Sequence, residues 1–251
     1  AGRDLDIRSS DGEGRITFTD ATLGAGDDIV LLTASGRDFV TFLRGSVTAV
    51  DAVTIDTGER GVTGTDDRDQ LRIESASWDA TRIDIDLGED DDMLWLLDPA
   101  AFDGIASIEG ETGDDRIEIV RLDAQADGDS LLIDGGVGSD DIFLQTWGSI
   151  TGAAGAKDYI IDVHDSGAAN DGADTMQIDG TAEADIFLSR GNFAALMHGT
   201  EDQIRDNASD RPQTVERINY DTSLNGRLTL FGHDGDDTFI SDDNATMMTM
   251  D

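Results

Sequence analysis

The sequence predicts an all-β chain, a parallel β-helix or β-solenoid whose coils are joined by Gly/Asp-rich turns. Three observations carry this. One plan, strand then Gly/Asp turn then strand, recurs along the chain; apolar residues alternate after each turn; and 29 glycines stand against 2 prolines. Self-similarity at intervals of about 20–50 residues marks repeat architectures. Period-two alternation buries one face of a strand. Glycine supplies the positive-φ positions of tight turns.

Five segments show the plan clearly. They are Ile16–Leu32 (ITFTDATLGAGDDIVLL), Ile83–Leu97 (IDIDLGEDDDMLWLL), Ile105–Val120 (IASIEGETGDDRIEIV), Leu131–Leu144 (LLIDGGVGSDDIFL) and Leu228–Ile240 (LTLFGHDGDDTFI). Weaker copies lie at Gly64–Ile73, Ala169–Ile178 and Gly180–Leu188. After the turns, Ile117 and Ile119, Ile142 and Leu144, and Met176 and Ile178 keep the two-residue period. Helical periodicity is nearly absent; its best stretch, Asn192–His198, is too short to form an independent helix. Ser189–Arg217 breaks the repeat with Pro212 and the polar run Glu201–Arg211, so residues 189–217 are expected to form a loop or lateral insertion. The rest of 1–251 reads as a single module and a piece of a longer chain, with Thr246–Met250 starting a further coil. Coils exposed at either end need covering, so flanking modules or identical chains are the expected partners, by end-to-end or lateral stacking.

The turns share a motif. Gly135–Phe143 (GGVGSDDIF) follows G-G-x-G-x-D-x-U-x, with U a large apolar residue. Gly232–Ile240 and Gly110–Glu118 lack only the second glycine, and Leu23–Leu31 lacks the first. Aligned on the sixth position, the aspartates are Asp28, Asp69, Asp92, Asp115, Asp140, Asp174, Asp185 and Asp237. The inward anchors two places later are Val30, Leu71, Leu94, Ile117, Ile142, Met176, Phe187 and Phe239. Asp27, Asp91, Asp114, Asp141 and Asp236 stand beside them as further candidate ligands.

This pattern resembles the calcium-binding nonapeptides of the repeats-in-toxin (RTX) family. The spacing departs from that family's tandem nonamers: successive aspartates lie 41, 23, 23, 25, 34, 11 and 52 residues apart. Steps of 23 to 25 fit one motif per coil of a wider solenoid. The chemistry is coherent with the resemblance. Calcium takes six to eight oxygen ligands at about 2.3–2.6 Å, more than one turn offers, and coils about 4.8 Å apart can share an ion. Stacked carboxylates without a cation repel one another, so binding and folding are expected to be coupled. A Gly-Asp-Asp sequence is also a plain turn in which aspartate bonds its own backbone. The eightfold recurrence is what separates the two readings. The resemblance further implies a secreted or cell-surface protein that folds in extracellular calcium, such as an adhesin, matrix or filament component.

Composition narrows the function classes. Fifty-five acidic against 17 basic residues leave a net charge of −38, which opposes nucleic-acid binding and attraction to anionic lipid. Forty-five of the acids are Asp and 10 are Glu, a bias toward the short carboxylate that suits turns and hard cations. There is no cysteine, so disulfides are not the stabilising device. There is no apolar run of about 18 residues to cross a membrane as a helix, and no leader-like start. His164, His198 and His233 lack zinc-ligand spacing, and no G-x-S-x-G element is present. A structural rather than catalytic role is therefore expected. The alternative is a carbohydrate-active enzyme of the uronate lyase or epimerase type on a β-helix, with Trp78, Trp95 and Trp147 as a stacking platform.

Overall fold

The computed structural model describes residues 4–9, 12–33, 35–58, 68–98, 100–150, 157–168, 170–206, 208, 212–242 and 248–251. Among them the fold is all-β, with nineteen strands in one large, mostly parallel sheet and one short helix.

Two parallel ladders carry most of it. The first joins β1 (Leu5–Arg8), β3 (Ile29–Leu32), β5 (Ala52–Asp56), the end of β6 (Gln70–Asp86), the end of β8 (Ala101–Glu109), β10 (Ser130–Asp134), β12 (Tyr159–His164) and β16 (Val215–Tyr220). The second joins β2 (Gly14–Gly24), β4 (Asp38–Thr48), the start of β6, β7 (Met93–Leu97), β9 (Arg116–Val120), β11 (Asp141–Gln145), β13 (Thr175–Asp179), β17 (Leu228–Phe231) and β19 (Met248–Met250). Pairing is parallel because the chain alternates between the ladders and returns in the same direction. Leu71 pairs with Leu94, Leu94 with Ile117 and Ile117 with Ile142.

Alternation fixes the core. Val40, Leu71, Leu94, Ile117, Ile142, Met176 and Leu228 make one buried row across the second ladder. Ile29, Val53, Ile83, Ala106, Leu131, Ile161 and Ile218 make its counterpart across the first. Each fully buried aliphatic side chain contributes about 1.5–3 kcal/mol. Phe18 stacks on Phe42, Phe42 meets Trp78 edge-on and Trp78 meets Phe102 edge-on, with ring centroids 4.7, 5.0 and 5.7 Å apart. Trp78 is therefore core, and Trp95 lies in the outward phase of β7.

Of the expected anchors, Leu71, Leu94, Ile117, Ile142, Met176 and Phe187 are buried. Val30 is not: its neighbours Ile29 and Leu31 point inward instead. Phe239 is half-buried and stacks on Phe187 at 5.3 Å.

The stretch 189–217, expected as a loop or lateral insertion, holds strands and a short helix where it is described. Ser189 and Arg190 end β14 (Ile186–Arg190), which runs antiparallel to β15 (Phe193–Met197); β15 runs antiparallel to β16. The Asn192–His198 stretch is thus a strand, because its apolar residues pack between two neighbours. Helix α1 (Glu201–Arg205) follows, with Thr200 and Gln203 forming a capping box. β14 also pairs in parallel with β18 (Thr238–Asp242). Residues 246 and 247, within the expected further coil, and 64–67 and 169, within two weak copies, lie outside the described residues; β19 adds to β17 in parallel.

Candidate metal centre

Two of the turns from the first ladder to the second, 110–115 and 135–140, share one local build. In 110–115 and 135–140 the second and fourth residues are left-handed: Glu111 and Gly113 in one, Gly136 and Gly138 in the other. The third residues, Glu89, Thr112 and Val137, bridge in parallel from one turn to the next. The first residue is glycine for a steric reason. A Cβ on Gly110 or Gly135 would lie 2.5 Å from Oδ2 of Asp115 or Asp140. The sixth-position carboxylate folds back over the turn into the space that glycine leaves.

These carboxylates form a file. Asp69 Oδ1 accepts from the backbone N–H of Asp38 at 2.6 Å, Asp92 from Asp69 at 2.6 Å, Asp115 from Asp92 at 2.8 Å, Asp140 from Asp115 at 2.8 Å and Asp174 from Asp140 at 3.1 Å. The file ends on an amide, since Asn225 Oδ1 accepts from Asp174 N at 3.3 Å. All six aspartates are no more than 2% exposed. Oδ2 of Asp115, Asp140 and Asp174 is buried without a hydrogen-bond partner. A buried carboxylate oxygen with no donor is costly unless a proton or a cation meets it. Burial, reinforced by the charge of Asp140, pushes Asp115 up to about 8. Burial and the charges of Asp174 and Asp165 push Asp140 up to about 7.

At one end the file widens. Asp140, Asp165 and Asp174 each offer an oxygen, all within 4.8 Å of one another and all buried. Such a triad can hold a metal ion, and its all-oxygen chemistry suits a hard cation rather than zinc or copper. Asp165 is pushed up to about 6 by burial and then by Asp174. A cleft of about 400 Å³, lined by His164, Asp165, Gly167, Asp221, Thr222, Ser223 and Asn225, opens beside it. His164 Nδ1 sits 3.0 Å from Asp221 Oδ2 and 3.4 Å from Ser223 Oγ. Serine and aspartate thus crowd the same ring nitrogen, which is not the arrangement of a hydrolytic triad.

The thirteen aspartates expected as ligands are not one set. Asp69, Asp92, Asp115, Asp140 and Asp174 share the file. Asp185 and Asp237 belong to a second, in the turns between the second ladder and β14 or β18: Ser149 N donates to Asp185, and Asp185 N to Asp237. Both Asp185 oxygens are used, Oδ2 by Thr181 N at 2.6 Å, so this position reads as a turn cap. Asp28 stands elsewhere, before β3, where its Oδ1 accepts from Ala52 N; Asp27 beside it is half-buried. Its motif lies at the opposite turn, which also explains the shifted phase at Val30. Asp91 and Asp114 line an outer row, accepting from Asp114 N and Ser139 N. Asp141 pairs with Arg116 at 2.5 Å, and Asp236 is exposed.

Two members were missed. Asp38 heads the file, and Gly36-Arg37-Asp38-Phe39-Val40 carries the G-x-D-x-U signal that could have found it. Asp165 has no such signal. It occupies the first turn position, where Gly110 and Gly135 stand in other coils. A second cleft, of about 450 Å³, is lined by Arg37, Arg68, Asp69, Gln70, Asp91, Asp92, Met93, Asp114 and Arg116. Arg68 is paired with Asp91 and Arg116 with Asp141, and no aromatic residue lines it.

No protein-family model matches this chain, and no curated protein matches it significantly.

Proposed function

We propose that this chain is a calcium-stapled β-solenoid module of an extracellular or cell-surface structural protein, of the adhesin, matrix or filament kind. The observation that carries this reading is the file of six buried aspartates, with unpartnered oxygens at Asp115, Asp140 and Asp174. Parallel pairing between residues about one coil apart supports the solenoid, as the Leu71, Leu94, Ile117 and Ile142 row illustrates. Calcium fits because every side-chain donor along the file is oxygen, and turn carbonyls of adjacent coils can complete its six to eight ligands. It would also offset part of the −38 charge. The role is structural: the ion holds neighbouring coils together and stiffens a module that joins flanking modules or identical chains. The resemblance to RTX-type repeats supports a site of action outside the cell, where calcium is millimolar.

Thermal unfolding tests the reading. Sites with dissociation constants of about 10⁻⁴–10⁻³ M together add several kcal/mol near millimolar calcium. The midpoint is expected to rise strongly and saturably between EDTA and about 5 mM calcium at fixed ionic strength. An unchanged melt would remove calcium from the account.

A further inference from the structure

We infer that Asp140, Asp165 and Asp174 form one discrete hard-cation site, tighter than any other position along the file, and that Asp165, a residue outside the nonapeptide motif, creates it. This rests on the reading that the buried carboxylates take a cation, and adds where the first ion goes and which residue decides it.

Three observations converge. The first is what stands at the opening turn position. Thr33, Thr57, Leu87, Gly110 and Gly135 hold it in the preceding coils, and none of them carries a charge. Asp165 puts a carboxylate there, 5% exposed, facing the file instead of leaving it room. The second is the local chain length. The turn from Asp165 to Asp174 has ten positions, whereas 110–115 and 135–140 have six. The extra length lets Asp165 turn inward while Gly167 N donates to its Oδ1 at 3.2 Å and Ser223 Oγ takes its own N–H at 2.9 Å. Its carboxylate is thus positioned from two elements. The third is the unpartnered pair of oxygens. Asp140 and Asp174 are 2% and 1% exposed, and Oδ2 of each meets no donor. Three carboxylates within 4.8 Å concentrate more negative charge than any single step of the file does.

The cleft of His164, Asp221 and Ser223 reaches Asp165, so an ion can enter from solvent without opening the sheet. No sulfur and no histidine nitrogen belongs to the triad, so the site selects for oxygen-loving ions. Calcium, tolerant of irregular geometry, suits it better than magnesium, which demands a near-regular octahedron.

Isothermal titration of the intact chain with calcium alone, and with magnesium alone, tests this in the wild type, Asp165→Asn and Asp92→Asn. Asp92 belongs to the file but not to the triad. The tightest calcium step is expected to weaken at least tenfold in Asp165→Asn and less than threefold in Asp92→Asn. With EDTA present, Asp165→Asn is expected to melt above the wild type, because it relieves repulsion. Asp165→Gly, which restores the residue of the two preceding coils, serves should Asp165→Asn misfold by circular dichroism. Equal calcium isotherms for Asp165→Asn and the wild type would overturn the triad and leave calcium binding by the file intact. Equal weakening by both variants would also overturn it, since the ion would then be spread along the file. A wild type that takes up no calcium would end both readings.

Discussion

Glu216 and Asp140 are both buried carboxylates of the same sheet, and their surroundings differ in kind. Glu216, in β16, has no exposed surface, and every donor it needs lies within reach. Trp147 N donates to its Oε2 at 2.9 Å, Tyr159 O–H to the same oxygen at 2.8 Å, and His198 Nε2 meets Oε1 at 3.1 Å. His198 is held in turn by Thr214 Oγ1 at 2.8 Å. Tyr159 is pushed well above the usual phenol range by burial and by Glu216, which keeps it a donor. Asp140 accepts one backbone N–H and has an empty-handed second oxygen. One carboxylate has its hydrogen-bond partners within the protein; the other waits for a proton or an ion. The difference lies in the neighbours: two side chains and a backbone N–H from three separate segments converge on Glu216, whereas the file sees mainly its own repeats.

Acidity should separate the two most strongly. Asp115 and Asp140 are raised to about 8 and about 7 from an unfolded value near 4. The folded, ion-free chain therefore binds more protons than the unfolded chain between about pH 4 and pH 8. Stability is fully present below about pH 4 and falls as pH rises through that window. At about 1.4 kcal/mol per pKa unit the two shifts amount to a loss on the order of 10 kcal/mol, or roughly 20 °C or more in the melting midpoint. Melts in EDTA at stepped pH measure it, and Asp115→Asn should flatten the slope. A stability that rises from pH 5 to pH 8 would mean the file already has its partners within the protein, as Glu216 does.

Breaking the satisfied group comes next. Glu216→Ala strands the Tyr159 hydroxyl, the Trp147 N–H and the His198 ring, and should cost about 3–5 kcal/mol. Denaturant unfolding should show the same loss with calcium and with EDTA. A calcium-dependent loss would tie Glu216 to the ion sites. Gly135→Ala sharpens the contrast from the other side. Its Cβ would press within 2.5 Å of Asp140 Oδ2, costing about 1–3 kcal/mol. It should also shrink the calcium-induced rise in midpoint. The smallest effect is expected for Asp140→Asn in EDTA. The amide keeps Oδ1 as acceptor for Asp115 N, so near pH 5, where Asp140 holds its proton, the ion-free stability should change by about 1 kcal/mol or less, while at pH 8 the calcium response falls. A large loss in EDTA would make Asp140 a turn cap like Asp185.

The sequence by itself determined the strands and five of the six aspartates of the file. Alternation around Ile117, Ile142 and Met176 records burial because side chains in a strand change face at every residue. The G-x-x-x-x-D spacing records the turns at 110–115 and 135–140, where a Cβ on the glycine would meet the folded-back carboxylate. Tertiary structure alone decided which turn a motif occupies. Leu23–Leu31 and Gly135–Phe143 look alike because both are sharp turns followed by strands, yet they stand at opposite ends of the coil, and Asp28 leaves the file. Residues 189–217 showed no repeat because β15 is stabilised by antiparallel neighbours rather than by a copy of itself. Asp165 and Glu216 were illegible for a related reason: each matters through partners 9 to 69 residues away, and no local pattern encodes such meetings.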